Sequence, residues 1–231
     1  ITYAASFSNT TLEKLEKYQK ADEVGALLQK FDAVSVRDAN SGTIVKQLTG
    51  KEPVYNLDPV LTYDYMNCCD KIPQLRANEK YLILYAYAGR ISNEEADWIA
   101  AYAKKKNLKI YAIGGIQKCA DRFVDCSPFE VLAYFRNAEE VITDTFHGSI
   151  FSVITHRPFT TLIRKSVGNS YGNEEKLSDL LERLDLADRM TAKVEDAENI
   201  NEETIDYAKV DELLKAHREV AKEYLRSNLE G

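Results

Sequence analysis

The chain has 231 residues, of which 29% are charged and 45% apolar, and its formal net charge is -7. These proportions describe a globular chain with room for one large domain or two small ones. The negative balance argues against broad non-specific nucleic-acid binding, and no apolar run approaches the length of a membrane span.

Ile1 opens the chain in place of Met and Ile1–Phe7 already reads as a strand, so an earlier part is expected to be missing; no signal-peptide pattern is present. Ser8-Asn9 is a turn, and Thr10 or Thr11 can cap a helix. Leu12, Leu15, Tyr18, Val24, Leu27, Leu28 and Phe31 recur at near-helical spacing, with Gly25 as a candidate break into two short helices. Ala33–Val36 is a short buried strand. Ser41–Leu48 is a helix stopped by Gly50, and Pro53–Leu57 is another strand. Tyr63–Ala77, irregular and containing Pro73, reads as a connection between two halves. The four cysteines fit no framework. Cys68 and Cys69 are adjacent and cannot pair without strain, while Cys119 and Cys126 lack zinc-ligand partners. Reduced thiols in a cytosolic protein are expected.

The second half alternates more regularly. Strands are expected at Lys80–Tyr87, Leu108–Ile113, Val141–Thr143 and Phe159–Ile163. Helices are expected from Glu94 to Lys106 with Asn93 as cap, through Phe129, Val131, Leu132 and Phe135, and from Glu174 to Leu184. Such alternation implies a parallel sheet with helices on both sides. Gly114-Gly115 permits a turn, for no GxGxxG follows a strand and no Walker lysine motif is present. Val167–Asn173 is a glycine- and asparagine-rich loop, a lid or a polar connection. Met190–Thr204 is acidic and expected to be exposed, and a last helix runs from about Ile205 to Leu229 with an apolar stripe.

One stretch organises the candidate chemistry. Val141-Ile142-Thr143 reads as a strand, Asp144–Ser149 as a tight polar turn, and Ile150, Phe151, Val153 and Ile154 as the helix that follows. A helix start exposes unpaired N–H groups and the positive end of its dipole, where a phosphate or carboxylate is welcome. Thr145, His147 and Ser149 fall on that first turn. Gly148 lets a ligand approach the backbone, and His147 can exchange protons near neutral pH. A plainer account has Thr145 or Asp144 as a cap, His147 ordering the turn, and Gly148 allowing close packing. Two earlier strands also end in polar groups, Arg37-Asp38 and Asn56/Asp58, at the edge where ligands gather in parallel sheets. Arg37 offers a fixed fork for a phosphate or carboxylate, or else an ion pair with Asp38 or a nearby helix. Asp58 before Pro59 is also a common turn starter.

Taken in order, Ser35-Val36-Arg37-Asp38, Asn56-Leu57-Asp58-Pro59, Ile142–Ser152 with its Thr-Phe-His-Gly-Ser core, and Arg157-Pro158-Phe159 resemble the polysaccharide pyruvyl transferase family. So do Tyr3–Phe7 and Lys176–Leu181 with Leu184-Asp185-Leu186. The resemblance implies a GT-B-like α/β fold with Rossmann-like parallel sheets and an incomplete first domain. It places the end of the N-terminal domain at 1–69, the C-terminal domain at 80–189 and a C-terminal helix at 205–229. It also implies pyruvyl transfer from phosphoenolpyruvate to sugar hydroxyls of a cell-surface polysaccharide or its precursor. On that template His147 and Asp58 are catalytic. Arg37, Thr145, Gly148, Ser149, Asn56 and Ser6 bind substrate. The partners are phosphoenolpyruvate and a saccharide or lipid-linked saccharide, without nucleic acid, metal or cofactor beyond the donor. The location is cytoplasmic or peripheral at the inner membrane. Some members carry an arginine two residues before the histidine, where this chain has Thr145 in a Phe-His-Gly variant. A glycosyltransferase using a nucleotide-sugar donor and a non-catalytic domain are the competing readings.

Overall fold

A computed structural model describes residues 1–75, 79–165 and 173–229. The chain divides into two compact units. One gathers Ile1–Tyr63, Glu175–Asp185 and the segment from Ala208 onward; the other holds Asp64–Glu174 and Leu186–Tyr207.

In the first unit the chain start is not a full strand. Ala5 makes one parallel bridge to Val36, and Ala4, at φ 47°, breaks the extension before it. Helices α1 (Leu12–Lys17) and α2 (Ala21–Leu28) follow. The break between them is at Gln19, which takes φ 54°. Gly25 lies inside α2, where an added Cβ would come within 3.0 Å of the Leu48 carbonyl oxygen, so the glycine serves packing. Strand β1 (Ser35–Val36) pairs in parallel with β2 (Val54–Tyr55). Between them α3 (Ala39–Thr49) is capped by Asp38, whose carboxylate accepts from the Ser41 N–H, and ends on Gly50 at φ 71°. Glycine closes that helix because a left-handed residue is needed there. The short α4 (Tyr65–Cys68) begins the residues of the second unit.

The second unit is built on one parallel sheet. Its strands are β3 (Tyr81–Tyr85), β4 (Lys109–Ile113), β5 (Arg122–Phe123), β6 (Glu140–Thr143), β7 (Phe159–Leu162) and β8 (Met190–Thr191), in the spatial order β5-β4-β3-β6-β7-β8. β3 is buried along nearly its whole length, as a central strand covered on both faces must be. Leu82 and Leu84 join Ile99, Tyr102 and Ala103 of α5 (Asn93–Lys105) in one core cluster. The alternate residue Tyr85 packs against Phe135 of α6 (Pro128–Asn137) and Phe151 of α7 (Phe146–Ile154). The α5 cap is Ser92, one residue before the expected Asn93, in a reciprocal capping box with Glu95.

After β7 come α8 (Glu174–Arg183), α9 (Ala197–Glu202) and α10 (Tyr207–Leu229). The acidic 190–204 stretch is not the exposed segment expected. Val194 and Ala197 belong to the core cluster, and Asn201 accepts from the Thr160 hydroxyl at 2.9 Å. Its charges alternate with these anchors, so composition hid the burial. The glycine- and asparagine-rich loop lies outside the described residues up to Gly172. No disulfide joins the four cysteines in the described residues. No described helix is long and apolar enough to cross a membrane.

Candidate functional site

In the first unit the parallel pairing brings the ends of β1 and β2 together, and with them four of the expected residues. Arg37 and Asp58 form an ion pair. Asp58 is almost fully buried and also accepts the Val60 N–H at 3.0 Å, starting a short 3-10 turn. The Ser6 hydroxyl donates to Asp38 at 2.7 Å. Asn56 is buried and donates to the Ser35 hydroxyl at 2.7 Å, so its amide braces the strand ends from inside. Arg37 is therefore a guanidinium oriented by a buried carboxylate, with part of its side chain still in solvent.

Helix α8 adds residues that the local reading did not assign to a site. Lys176 donates to the Ser8 hydroxyl at 2.7 Å. Burial pulls its ammonium pKa below the usual range, with nearby Arg37 pushing the same way and Asp38 opposing. Arg183 reaches the Arg37 carbonyl at 3.2 Å. Lys176 was visible only as part of the Lys-Leu-Ser-Asp motif. Its approach to Arg37 is a contact across more than a hundred residues, beyond any local pattern.

In the second unit the other expected residues sit where β6 runs into α7. Thr145 is the cap, with its hydroxyl accepting the Gly148 N–H at 2.9 Å. The Thr143 hydroxyl donates to the Tyr85 carbonyl at 2.7 Å and stands 3.0 Å from that of Thr145. Ser149 is fully buried and bonds the Thr161 hydroxyl at 2.8 Å. Thr145, Gly148 and Ser149 thus face inward and build the turn. His147 is the half-buried member, with the Phe146 and Phe151 rings 5.6 and 6.0 Å away.

The sheet order places this turn at a switch point. The chain runs outward from β3 to β5 and then starts again beside β3 with β6. Crevices at the carboxyl ends of such strands are where open parallel sheets bind ligands. Asp144, which directly follows β6, is fully buried. Arg90, in the loop after β3, approaches its carboxylate at 3.9 Å. Arg90 was not among the expected residues, although a Gly-Arg pair in the loop after a central strand was an available signal. Arg164, beyond β7, is bound by Glu95 at 2.6 Å.

Burial pushes the Asp144 carboxyl from 3.8 up to about 6, against the pull of Arg90 and Arg164. Because the folded state holds this proton more tightly than the unfolded chain, stability should fall as pH rises from about 4 to 6 and level off above that. The loss amounts to roughly 3 kcal/mol. Denaturant unfolding across that range should show the slope in the wild type and lose it in Asp144→Asn. An identical slope in the variant would assign the titration to another group.

A six-stranded parallel sheet with flanking helices and a polar switch point is a Rossmann-like unit of the GT-B-like class. The fold is shared with the UDP-GlcNAc 2-epimerase of Methanocaldococcus jannaschii, solved with UDP-GlcNAc and UDP. That match has 10% identity and a TM-score of 0.50 over 86% of this chain and 61% of that one. The glycotransferase of kitacinnamycin matches more loosely, at 11% identity and a TM-score of 0.44 over 69% of this chain and 46% of that one. The chain thus spans about half the length of these first-matched structures. No curated protein matches it in sequence. Residues 1–166 match the polysaccharide pyruvyl transferase family, and the chain belongs to that family of transferases, as its ordered motifs imply.

Proposed function

We propose that the protein transfers the pyruvyl group of phosphoenolpyruvate to sugar hydroxyls of a cell-surface polysaccharide or its precursor. Family membership and His147 carry this reading. A half-buried imidazole on the first turn of a helix, at the switch point of a parallel sheet, is a proton donor beside N–H groups suited to an anion.

In the proposed reaction His147 protonates the enol methylene or the departing phosphate oxygen. A sugar hydroxyl adds to C2 and gives up its proton, with Asp58 as the candidate base. Phosphate leaves, and a second hydroxyl adds to the same carbon and closes the ketal; of the two hydroxyl protons, one ends on the former methylene, now a methyl group, and the other on the released phosphate. Arg37 holds the donor's phosphate or carboxylate. Ser6 and Asn56 in the first unit, and Thr145, Gly148 and Ser149 in the second, are the remaining proposed substrate-binding residues, each through its own unit. Phosphoenolpyruvate is a substrate, so no further cofactor enters the scheme. A cytoplasmic protein, free or peripheral at the inner membrane, would meet both phosphoenolpyruvate and a lipid-linked saccharide.

The test is calorimetric titration of the protein with phosphoenolpyruvate and with UDP-glucose, repeated in Arg37→Ala. The expected result is phosphoenolpyruvate binding weakened about tenfold or more in the variant, the scale of a lost charge-assisted pair, and no heat from UDP-glucose. UDP-glucose binding without phosphoenolpyruvate binding would move the protein to nucleotide-sugar glycosyl transfer.

A further inference from the structure

Two arginines of the second unit bracket the residue that ends β6. In the sheet, β6 lies between β3 and β7. Arg90 follows β3 and Arg164 follows β7, so both guanidiniums stand at the carboxyl edge where α7 begins. Each side chain is about one quarter to one fifth exposed, at 24% for Arg90 and 21% for Arg164. Neither is a wandering surface arginine. The Arg90 guanidinium lies over the Tyr87 ring, 4.5 Å from its centroid. Tyr87 meets Tyr85 edge-on, Tyr85 stacks on Phe151, and Phe151 lies beside the His147 ring. One continuous aromatic contact chain therefore leads from Arg90 to His147. Glu95 holds Arg164 while the Ser92 N–H, at 2.9 Å, holds Glu95.

The cluster is incompletely satisfied within the chain. Among the described residues, the Nε and Nη2 atoms of Arg164 are buried without a hydrogen-bond partner, donors that an acceptor would satisfy, while the two buried oxygens of Asp144, also without one, call for a donor. Native interiors rarely leave such groups unpaired, and unpaired ones call for an explanation such as a missing bound species. The charges on the edge are two guanidiniums against the carboxylates of Asp144 and Glu95. Glu95 is occupied by Arg164 and by its own helix cap, and Arg90 approaches Asp144 at 3.9 Å. The two carboxylates balance the two guanidiniums in charge, but Arg164 keeps unused N–H donors at a sheet's carboxyl edge, and such donors suit a group with several anionic oxygens because a guanidinium can offer two parallel N–H donors.

We infer that Arg90 and Arg164 form an anion-binding pair that takes phosphate oxygens beside the start of α7. This deepens the proposed function and rests on it only for the donor's identity, since phosphoenolpyruvate and a nucleotide diphosphate present the same oxygens. Asp144 is a positioning residue that competes with the ligand for the two cations.

The experiment is calorimetric titration of the full chain with inorganic phosphate, phosphoenolpyruvate and UDP, comparing wild type, Arg90→Gln, Arg164→Gln and Asp144→Asn, with melting curves on all four. The expected outcome is phosphate and phosphoenolpyruvate affinity lowered about tenfold or more in each glutamine variant. Affinity should be raised severalfold in Asp144→Asn, which keeps both arginines. If a glutamine variant fails to fold, Asp144→Asn still decides, and unchanged or weaker phosphate binding there overturns the inference. Wild-type affinities in folded glutamine variants overturn it too, as does a wild type that binds none of the three. If UDP binds in an Arg90- and Arg164-dependent way and phosphoenolpyruvate does not, the pair stands and pyruvyl transfer falls. If phosphoenolpyruvate binds independently of both arginines, the pair falls and pyruvyl transfer stands.

Discussion

If the protein acts as proposed, His147→Gln should lower pyruvyl transfer by about 10²- to 10⁴-fold, the range that follows loss of a positioned general acid. Glutamine keeps a polar side chain of similar reach but cannot deliver a proton near neutral pH. The imidazole is half-buried beside Phe146 and Phe151, so some loss of stability is expected as well. The two effects separate cleanly. A proton donor in the reaction predicts a collapse in turnover with phosphoenolpyruvate binding largely kept, read from phosphate release and calorimetry on the same preparation. A histidine that only orders the turn predicts a lower melting temperature with turnover retained below it, and that result would remove His147 from the mechanism.

Gly148→Ala should destabilise the second unit by roughly 2–4 kcal/mol, against the ordinary gain of about 1 kcal/mol for replacing a helical glycine with alanine. The reversed sign comes from geometry. A Cβ at this position would lie 2.1 Å from the Thr143 hydroxyl oxygen and 2.7 Å from that of Thr145. Both hydroxyls are in use. Thr143 bonds the Tyr85 carbonyl, and Thr145 receives the Gly148 N–H. Making room for one methyl group breaks the cap of α7 or the tie between β6 and β3. Denaturant unfolding gives the test. A variant as stable as the wild type would mean that the turn relaxes freely, and the glycine would then be explained by ligand approach rather than packing.

Much of this architecture was legible because local chemistry and tertiary structure agree. Thr145 before Phe146 caps a helix as its hydroxyl predicts, Gly50 ends one as its freedom predicts, and the apolar runs around Leu82, Ile110 and Ile142 are the central strands. Failures occur where distant contacts override local preference. Gly25 reads as a break but packs against Leu48, while Gln19 takes the left-handed conformation. The two-residue β5 carries too little pattern to be seen. Val194 and Ala197 are core residues inside a stretch whose acidic composition advertises solvent. At the site, the turn from Thr145 to Ser149 was readable because its parts are consecutive. Arg90 was not, because its meaning depends on β3 lying beside β6, a pairing that no window of sequence contains. The carboxyl-edge rule applied to every strand, and not only to those ending in conspicuous motifs, would have marked it.

The first unit is closed by the last part of the chain. The Tyr224 hydroxyl donates to the Thr2 carbonyl at 2.7 Å, and Arg218 binds the Leu61 carbonyl at 2.8 Å. During synthesis, the residues up to Tyr63 therefore leave the ribosome long before the helix that covers them exists. The stretch from Asp64 to Glu174 emerges next and carries strands β3 to β7 with their helices. It can collapse while the first unit is still waiting for α10, so an early-made half must stay soluble until a late-made helix arrives. A nascent chain that ends near residue 200 would carry strands β3 to β7 but neither the Tyr224 tie to Thr2 nor the Arg218 tie to Leu61.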